Sequence, residues 1–378
     1  MAQFALTSRS EAIVFGLALA LRLALFHLPA LSNILADRVE ISTPITGFKR
    51  RLFYPIISYP LLIKLLYILG DLAIGYMLLQ ITAIKDSEST KERKIHQYGN
   101  KIEEPGMNGL TVATLYLFNP FTIASCIGKS TILYSNVAVV SGIWMGMKRN
   151  KSLAMFSIAL ATYLSLYPAM LFIPVLLMLA REASDDNQKK TPGTFSAAFM
   201  GPSVSDLTPN LGLFWYFFIE MFDQFRPFFL VVFQIHVFIF AVPISIKLRK
   251  YPLFVSFLMC AIMGTFKGYP SVGDASLYLG LLPLSSEIFK YLRYTFLIIN
   301  LFLYSSLLAP IFWYLWVYVG SGNANFFYAI GLVYGIGEII LMIDTTYAVS
   351  RRDFEALVPP DASDDKKSTG WDREVIQM

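Results

Sequence analysis

The sequence predicts an all-α, polytopic membrane protein of about ten to twelve transmembrane helices. Three observations carry this. Hydrophobic residues make up 56% of the 378 residues and charged residues 15%, where a soluble domain has about 45–50% and about 25%. Mean hydropathy is +0.56, and apolar runs recur at the roughly 20-residue length that crosses a hydrocarbon core as helix. The basic residues, 31 against 26 acidic ones, fall in short groups between these runs. Such grouping orients helices in a bilayer and argues against a nucleic-acid surface.

In chain order the expected spans are 12–31, 54–84, 109–127, 131–147, 152–180, 227–246, 251–267, 276–290, 294–317 and 325–349. The first resembles a cleaved signal at Ala18-Leu19-Ala20, but Arg22 and more apolar sequence follow at once, which favours a retained span. Spans 54–84 and 152–180 exceed one crossing. Each holds two prolines (Pro55 and Pro60; Pro168 and Pro174), so each reads as a tilted, kinked helix or as a pair of half-spans. Polar loops are expected at about 85–108 and 182–205. Together 1–352 form a membrane domain, and 353–378 a polar, disordered cytoplasmic tail.

Four basic groups set the orientation: Lys148, Arg149 and Lys151; Lys247, Arg249 and Lys250; Lys290 and Arg293; Arg351 and Arg352. Placing all four in the cytoplasm puts both termini there. Loops 32–53, 128–130, 268–275 and 320–325 then face the other side. Lys49, Arg50 and Arg51 run against this arrangement.

Motifs of soluble enzymes are missing. Cys126 and Cys260 lie inside apolar runs, which excludes a disulfide framework. His27, His96 and His236 are unpaired at helical spacing, so no metal and no cofactor is expected. His236 reads as a helix–helix hydrogen-bonding group. Asp37 and Glu40, just after the first span, form an acidic loop on the non-cytoplasmic side. A lipid-linked-sugar glycosyltransferase would use such a pair on a metal-phosphate, whereas Arg38 between them suggests an ion-pair network. The intramembrane charges Arg22, Lys64, Asp71 and Asp344 should face protein or a cavity. Lys64 and Asp71, two turns apart, read as a structural pair. Tyr59-Pro60, Asn119-Pro120, Tyr167-Pro168, Tyr251-Pro252 and Tyr269-Pro270 read either as interface anchors or as helix breaks opening onto a polar cavity.

Long ordered stretches carry a family resemblance. They are Glu40-Ile41-Ser42-Thr43-Pro44; Leu117-Phe118-Asn119-Pro120-Phe121 continuing to Ser125-Cys126-Ile127-Gly128-Lys129-Ser130; Leu166-Tyr167-Pro168; Asp206-Leu207-Thr208-Pro209-Asn210-Leu211-Gly212-Leu213-Phe214-Trp215; Tyr269-Pro270-Ser271-Val272-Gly273-Asp274; and Gly320-Ser321-Gly322-Asn323-Ala324-Asn325-Phe326-Phe327. From residue 12 to about 355 the chain resembles the PIG-U family, a subunit of the glycosylphosphatidylinositol (GPI) transamidase. The resemblance implies a multi-pass endoplasmic-reticulum protein of glycosyltransferase-C-like architecture that works with other subunits, one of them a cysteine-protease-like catalytic chain. It also implies a non-catalytic role: recognising or holding the GPI lipid or the attachment signal. A mannosyltransferase of the same architecture is the rival.

A lipid-holding subunit needs an apolar groove with hydrogen-bonding groups at its wet end. Asn323, Asn325, Phe326 and Phe327 are candidates for contacting the head group or chain end, against a plain turn followed by an aromatic belt. Phe214, Trp215 and Phe218, with Glu220 and Asp223 on the wetter face, are candidates for an acyl-chain wall, against an interfacial amphipathic helix. Two departures from the family stand out. The lumenal segment after Arg51 is shorter, and a polar segment, 182–205, replaces an apolar span before Asp206. Losing one crossing reverses sidedness downstream, unless 152–180 crosses once where relatives cross twice.

Overall fold

The computed structural model describes residues 2–28, 60–95, 106–180 and 209–357, and among them the fold is all-α with no strand. Asp37, Glu40, Lys49 to Arg51 and the 182–205 segment lie outside the described residues. The chain divides into two compact units, Met1–Glu88 with Asn108–Leu284 and Ser89–Met107 with Ser285–Met378.

The first unit begins with α1 (Ala2–Phe26) and α2 (Pro60–Ile95). Pro60 opens α2 where a missing N–H costs nothing, and from Pro60 to 84 the stretch read as a possible pair of half-spans is one continuous helix, while 54–59 lie outside the described residues. α2 also runs on through Lys85-Asp86-Ser87-Glu88 to Ile95, into sequence expected to be loop. Glu, Lys and Arg are good helix formers, and no Gly or Pro intervenes to stop it.

Next come α3 (Gly109–Leu117) and α4 (Pro120–Ile127), one broken span bent by 52°. The bend is local chemistry. Pro120 cannot donate to the Tyr116 carbonyl, and Asn119 Oδ1 takes the Phe121 N–H at 2.9 Å as an N-cap. That capture leaves the Leu117 carbonyl without its helical partner. The Arg22 guanidinium of α1 supplies one, donating to Leu117 O at 2.8 Å. Arg22 also donates to Asp71 Oδ2 at 2.6 Å, and Tyr116 Oη donates to Asp71 Oδ1 at 3.0 Å. Arg22 and Asp71 are fully buried. The partner of Asp71 is thus Arg22, across the helix pair, and not Lys64. Lys64 donates instead to the Phe26 carbonyl at 3.2 Å, since two turns along one helix, about 10 Å, is too far for a direct pair.

α5 (Ile132–Met147), α6 (Lys151–Leu164), a 3₁₀ turn (Tyr167–Leu171) and α7 (Phe172–Ala180) fold as a compact up-and-down set. Ser141 and Ser157 hydroxyls meet at 3.3 Å between α5 and α6. Tyr167 and Pro168 sit beside Ile132 and Asn136 at the start of α5, while Arg149 donates to the Met178 carbonyl at its far end. Residues 152–180 therefore go up and come back, the half-span reading, broken at Ser165-Leu166. Ala180 lies near Arg149, whereas Asn210, at the start of the 209–357 segment, donates to Gly268 O near Tyr167. The two described ends around 182–205 thus lie at opposite ends of the unit.

The unit closes with α8 (Trp215–Glu220), α9 (Arg226–Ile239), α10 (Ala241–Lys247), α11 (Pro252–Phe266) and α12 (Val272–Leu281). The second unit pairs α13 (Thr295–Tyr314), continued by a π-helical turn (Leu315–Val319), with α14 (Ala324–Leu357). Asp344 of α14, fully buried, accepts the Arg293 and Tyr294 N–H groups at 3.0 to 3.1 Å and so caps the start of α13. The Arg293 guanidinium stacks on Tyr347 at 3.6 Å.

Among the described residues, four helical stretches are long and apolar enough to cross a bilayer, Leu61–Glu88, Arg226–Lys247, Thr295–Val319 and Ala324–Glu355, and the bent α3–α4 pair makes a fifth. The expectation of ten to twelve exceeds this. Much of the surplus is short helix buried in protein: in α11 every residue except Leu253 and Phe266 is buried. A short apolar run reads alike whether lipid or protein surrounds it.

Candidate functional site

One end of the first unit gathers loops from four places in the sequence. Ser271 and Asp274 cap α12 as a reciprocal box, with Ser271 N–H donating to Asp274 Oδ2 at 2.8 Å. Lys267, at the end of α11, donates to both Asp274 oxygens at 3.2 and 3.4 Å. Asn136 Nδ2 of α5 donates to Gly273 O at 2.7 Å, and Gly268 N–H donates to Tyr167 Oη at 3.3 Å. Asn210 Oδ1 accepts the Gly212 N–H at 2.6 Å. Two glycines permit the close approach: a Cβ on Gly273 would overlap Ile132 Cγ2, and one on Gly212 would overlap Pro270.

Between these loops lies a cavity of ≈ 20 Å³, bordered on its polar side by Ser135, Asn136, Ser165, Tyr167, Lys267 and Asp274. It has room for about one water. An aromatic cluster stands beside it. Phe214 stacks on Phe233 at 4.6 Å, Phe217 meets Phe218, Phe229 and Phe233 edge-on, and Tyr167 lies parallel to Phe238 at 6.5 Å. His236 sits among Phe214, Phe233, Phe240 and Phe266, with Nδ1 2.6 Å from Phe233 O. Its hydrogen bond stays within its own helix, not between helices as expected. Aromatic rings fill the space where a polar partner would have to stand.

The proposed acyl-chain wall is shorter and more broken than the sequence suggests. α8 spans only Trp215–Glu220, and the chain then turns before α9. Trp215 is buried, Phe214 and Phe218 are half-buried, and Phe217, Phe222, Phe225 and Phe228 are exposed. Glu220 is exposed, and Asp223 pairs with Arg226 at 2.6 Å. α9 and α10 together are only 18% buried over their most apolar stretch, so most of this aromatic face is left uncovered by the unit. Sequence reasoning missed Phe229 and Phe233, which the 3.6-residue period places on the face toward Phe217.

The second unit holds the other candidate group. Gly320 adopts a left-handed conformation (φ 72°), and the Ser321 and Gly322 N–H groups donate to Leu315 O, closing the π turn. Asn323 Oδ1 accepts the Phe326 N–H at 3.3 Å and so caps α14. Asn323, Asn325 and Phe326 are exposed. Phe327 is buried against Trp313 and Trp316, at ring separations of 5.1 and 6.2 Å, and supports the turn from inside. The residues of the two candidate groups belong to separate units. Among the described residues no three His, Cys, Asp or Glu side chains come together as a metal site.

Comparison with known proteins gives this geometry a family. The model of the family described as "GPI transamidase subunit PIG-U" matches residues 51–202 and 201–334. The GPI-anchor transamidase component PIGU of Homo sapiens is 34% identical over 409 aligned positions, covering 90% of this chain and 94% of that protein. The GPI transamidase component GAB1 of Saccharomyces cerevisiae is 34% identical, covering 90% of this chain and 95% of its own. A GAB1 homolog of Schizosaccharomyces pombe is 28% identical over 87% and 91%. The human alignment is longer than the whole chain of 378 residues, so that relative carries residues without counterpart here. The chain is a multi-pass membrane protein that belongs to the PIG-U family.

Proposed function

We propose that this chain is a non-catalytic membrane subunit of a GPI transamidase, seated in the endoplasmic-reticulum membrane with both termini cytoplasmic, and that it holds the GPI lipid while a cysteine-protease-like partner performs the bond exchange. Its relatives are named as components of that complex. The observation that carries the lipid role is the exposed aromatic face of 214–233 next to a polar loop cluster at one end of the first unit. Rings exposed to hydrocarbon beside fixed hydrogen-bonding groups suit a molecule with acyl chains and a polar head. Asn323 and Asn325 would meet the head group or the processed chain end with side-chain amides that carry no charge to desolvate.

Photocrosslinking tests this. A GPI analogue with a photoreactive acyl chain, added to the complex purified in mild detergent, should label the 214–233 segment. Phe217→Ala with Phe228→Ala should reduce that label and reporter anchoring without loss of the protein. Labelling confined to other segments, or purification without any protease-like companion, would refute the assignment.

A further inference from the structure

The cavity bordered by α5, α11 and α12 has hydrogen-bonding capacity left open. At ≈ 20 Å³ it exceeds the roughly 10–15 Å³ that one water requires, and a void of that size stays dry only where its walls are apolar. These walls are not. Ser135 and Asn136 of α5 line it and are only 5% and 2% exposed. Asn136 Nδ2 is spent on Gly273 O, whereas its Oδ1 and the Ser135 hydroxyl meet no partner among the described residues. Ser165, where α6 ends, lines the cavity with its hydroxyl equally unspent among those residues. Tyr167 Oη accepts the Gly268 N–H, which leaves its own O–H to donate. Charge is already balanced: Lys267 lies against both Asp274 oxygens, so the ammonium disfavours a cation and the carboxylate an anion. An open acceptor, an open donor and two hydroxyls able to act either way thus face the space of about one small neutral molecule.

We propose that this cavity holds one ordered water, which donates to Asn136 Oδ1, accepts from Tyr167 Oη, and fastens the break in 152–180 to α5, with the Ser135 and Ser165 hydroxyls completing its shell. The proposal stands on the cavity and not on the transamidase reading. A cryo-EM map of the full-length chain, purified with its companions in mild detergent and fine enough to show other ordered waters, should carry one isolated peak about 2.5–3.0 Å from Asn136 Oδ1 and Tyr167 Oη. Ser135→Thr keeps the hydroxyl and adds a methyl to the cavity, which separates a wet site from a dry one by sign. Filling a dry void raises the melting temperature, whereas expelling a bonded water strands Asn136 Oδ1 and Tyr167 Oη. The variant should lose the peak and melt about 2–4 °C lower, the scale of one hydrogen bond in a unit of this size. A clash alone would also lower the melt, so Ser165→Ala is measured in both backgrounds. It should lower the melt of the parent yet add little to that of Ser135→Thr, because both changes act through the same water. An empty cavity, density for a side chain or for part of a larger bound molecule, a Ser135→Thr melt equal to or above the parent, or additive losses would each overturn the proposal.

Discussion

Replacing Arg22 with Met, which keeps an unbranched side chain of similar length but removes the cation, would leave the Asp71 carboxylate buried with only Tyr116 as its donor. Breaking a buried pair from one side costs about 3–5 kcal/mol, chiefly through the uncompensated charge. The companion change Asp71→Leu removes that charge, and replacing both members of such a pair with apolar residues is often near neutral. Here it should not be fully neutral. Arg22 also serves the Leu117 carbonyl released by the α3–α4 break, and an orphaned buried acceptor costs about 1–3 kcal/mol. The expected order of stability is therefore parent, then double variant, then Arg22→Met, with the double recovering roughly half or more of the loss. Thermal unfolding followed by fluorescence-detected size exclusion would rank the three. If the double variant is as unstable as the single, the charge is not the main cost. If it equals the parent, the Leu117 carbonyl does not depend on Arg22.

Asp344→Ala should destabilise by about 1–3 kcal/mol by leaving the Arg293 and Tyr294 amides unpaired at the start of α13. Asp344→Asn, still offering one carbonyl oxygen, should fall between, and the same melts would show it. Gly273→Ala should cost about 1–3 kcal/mol through overlap with Ile132, and the second change Ile132→Ala should restore part of the loss by removing the clashing methyl. No restoration would mean the contact is not what limits that position. Alanine at both Asn323 and Asn325, with the protein still associated with its partners, should lower reporter anchoring; unchanged anchoring would remove them from the site.

The class of the protein was legible in composition, because 15% charge cannot clothe a soluble surface of this length. Helix breaks were legible where proline and a capping amide stand together, as at Asn119-Pro120. The span count was not, since Pro252–Phe266 is apolar through contact with its own protein and hydropathy cannot tell protein from lipid. Partner choice was also hidden. Lys64 and Asp71 are close in sequence, yet Asp71 joins Arg22 from 49 residues away, and only tertiary packing brings those together. Of the candidate site, Phe214 and Phe218 were visible as an aromatic run, whereas Phe233 and the Lys267–Asp274 tie needed the fold.

The guanidinium of Arg22 has a bearing on biogenesis. It leaves the ribosome well before its carboxylate partner, and further still before the carbonyl at Leu117, 95 residues downstream. An unpaired arginine costs up to about 2.5–3.5 kcal/mol at the centre of a membrane helix and less toward its end, and Arg22 stands four residues before the end of α1. Until its partners on the next two helices arrive, the guanidinium has to reach water from near the end of α1. A nascent chain interrupted before residue 71 would carry a stranded cation, the kind of defect that marks a membrane protein for removal.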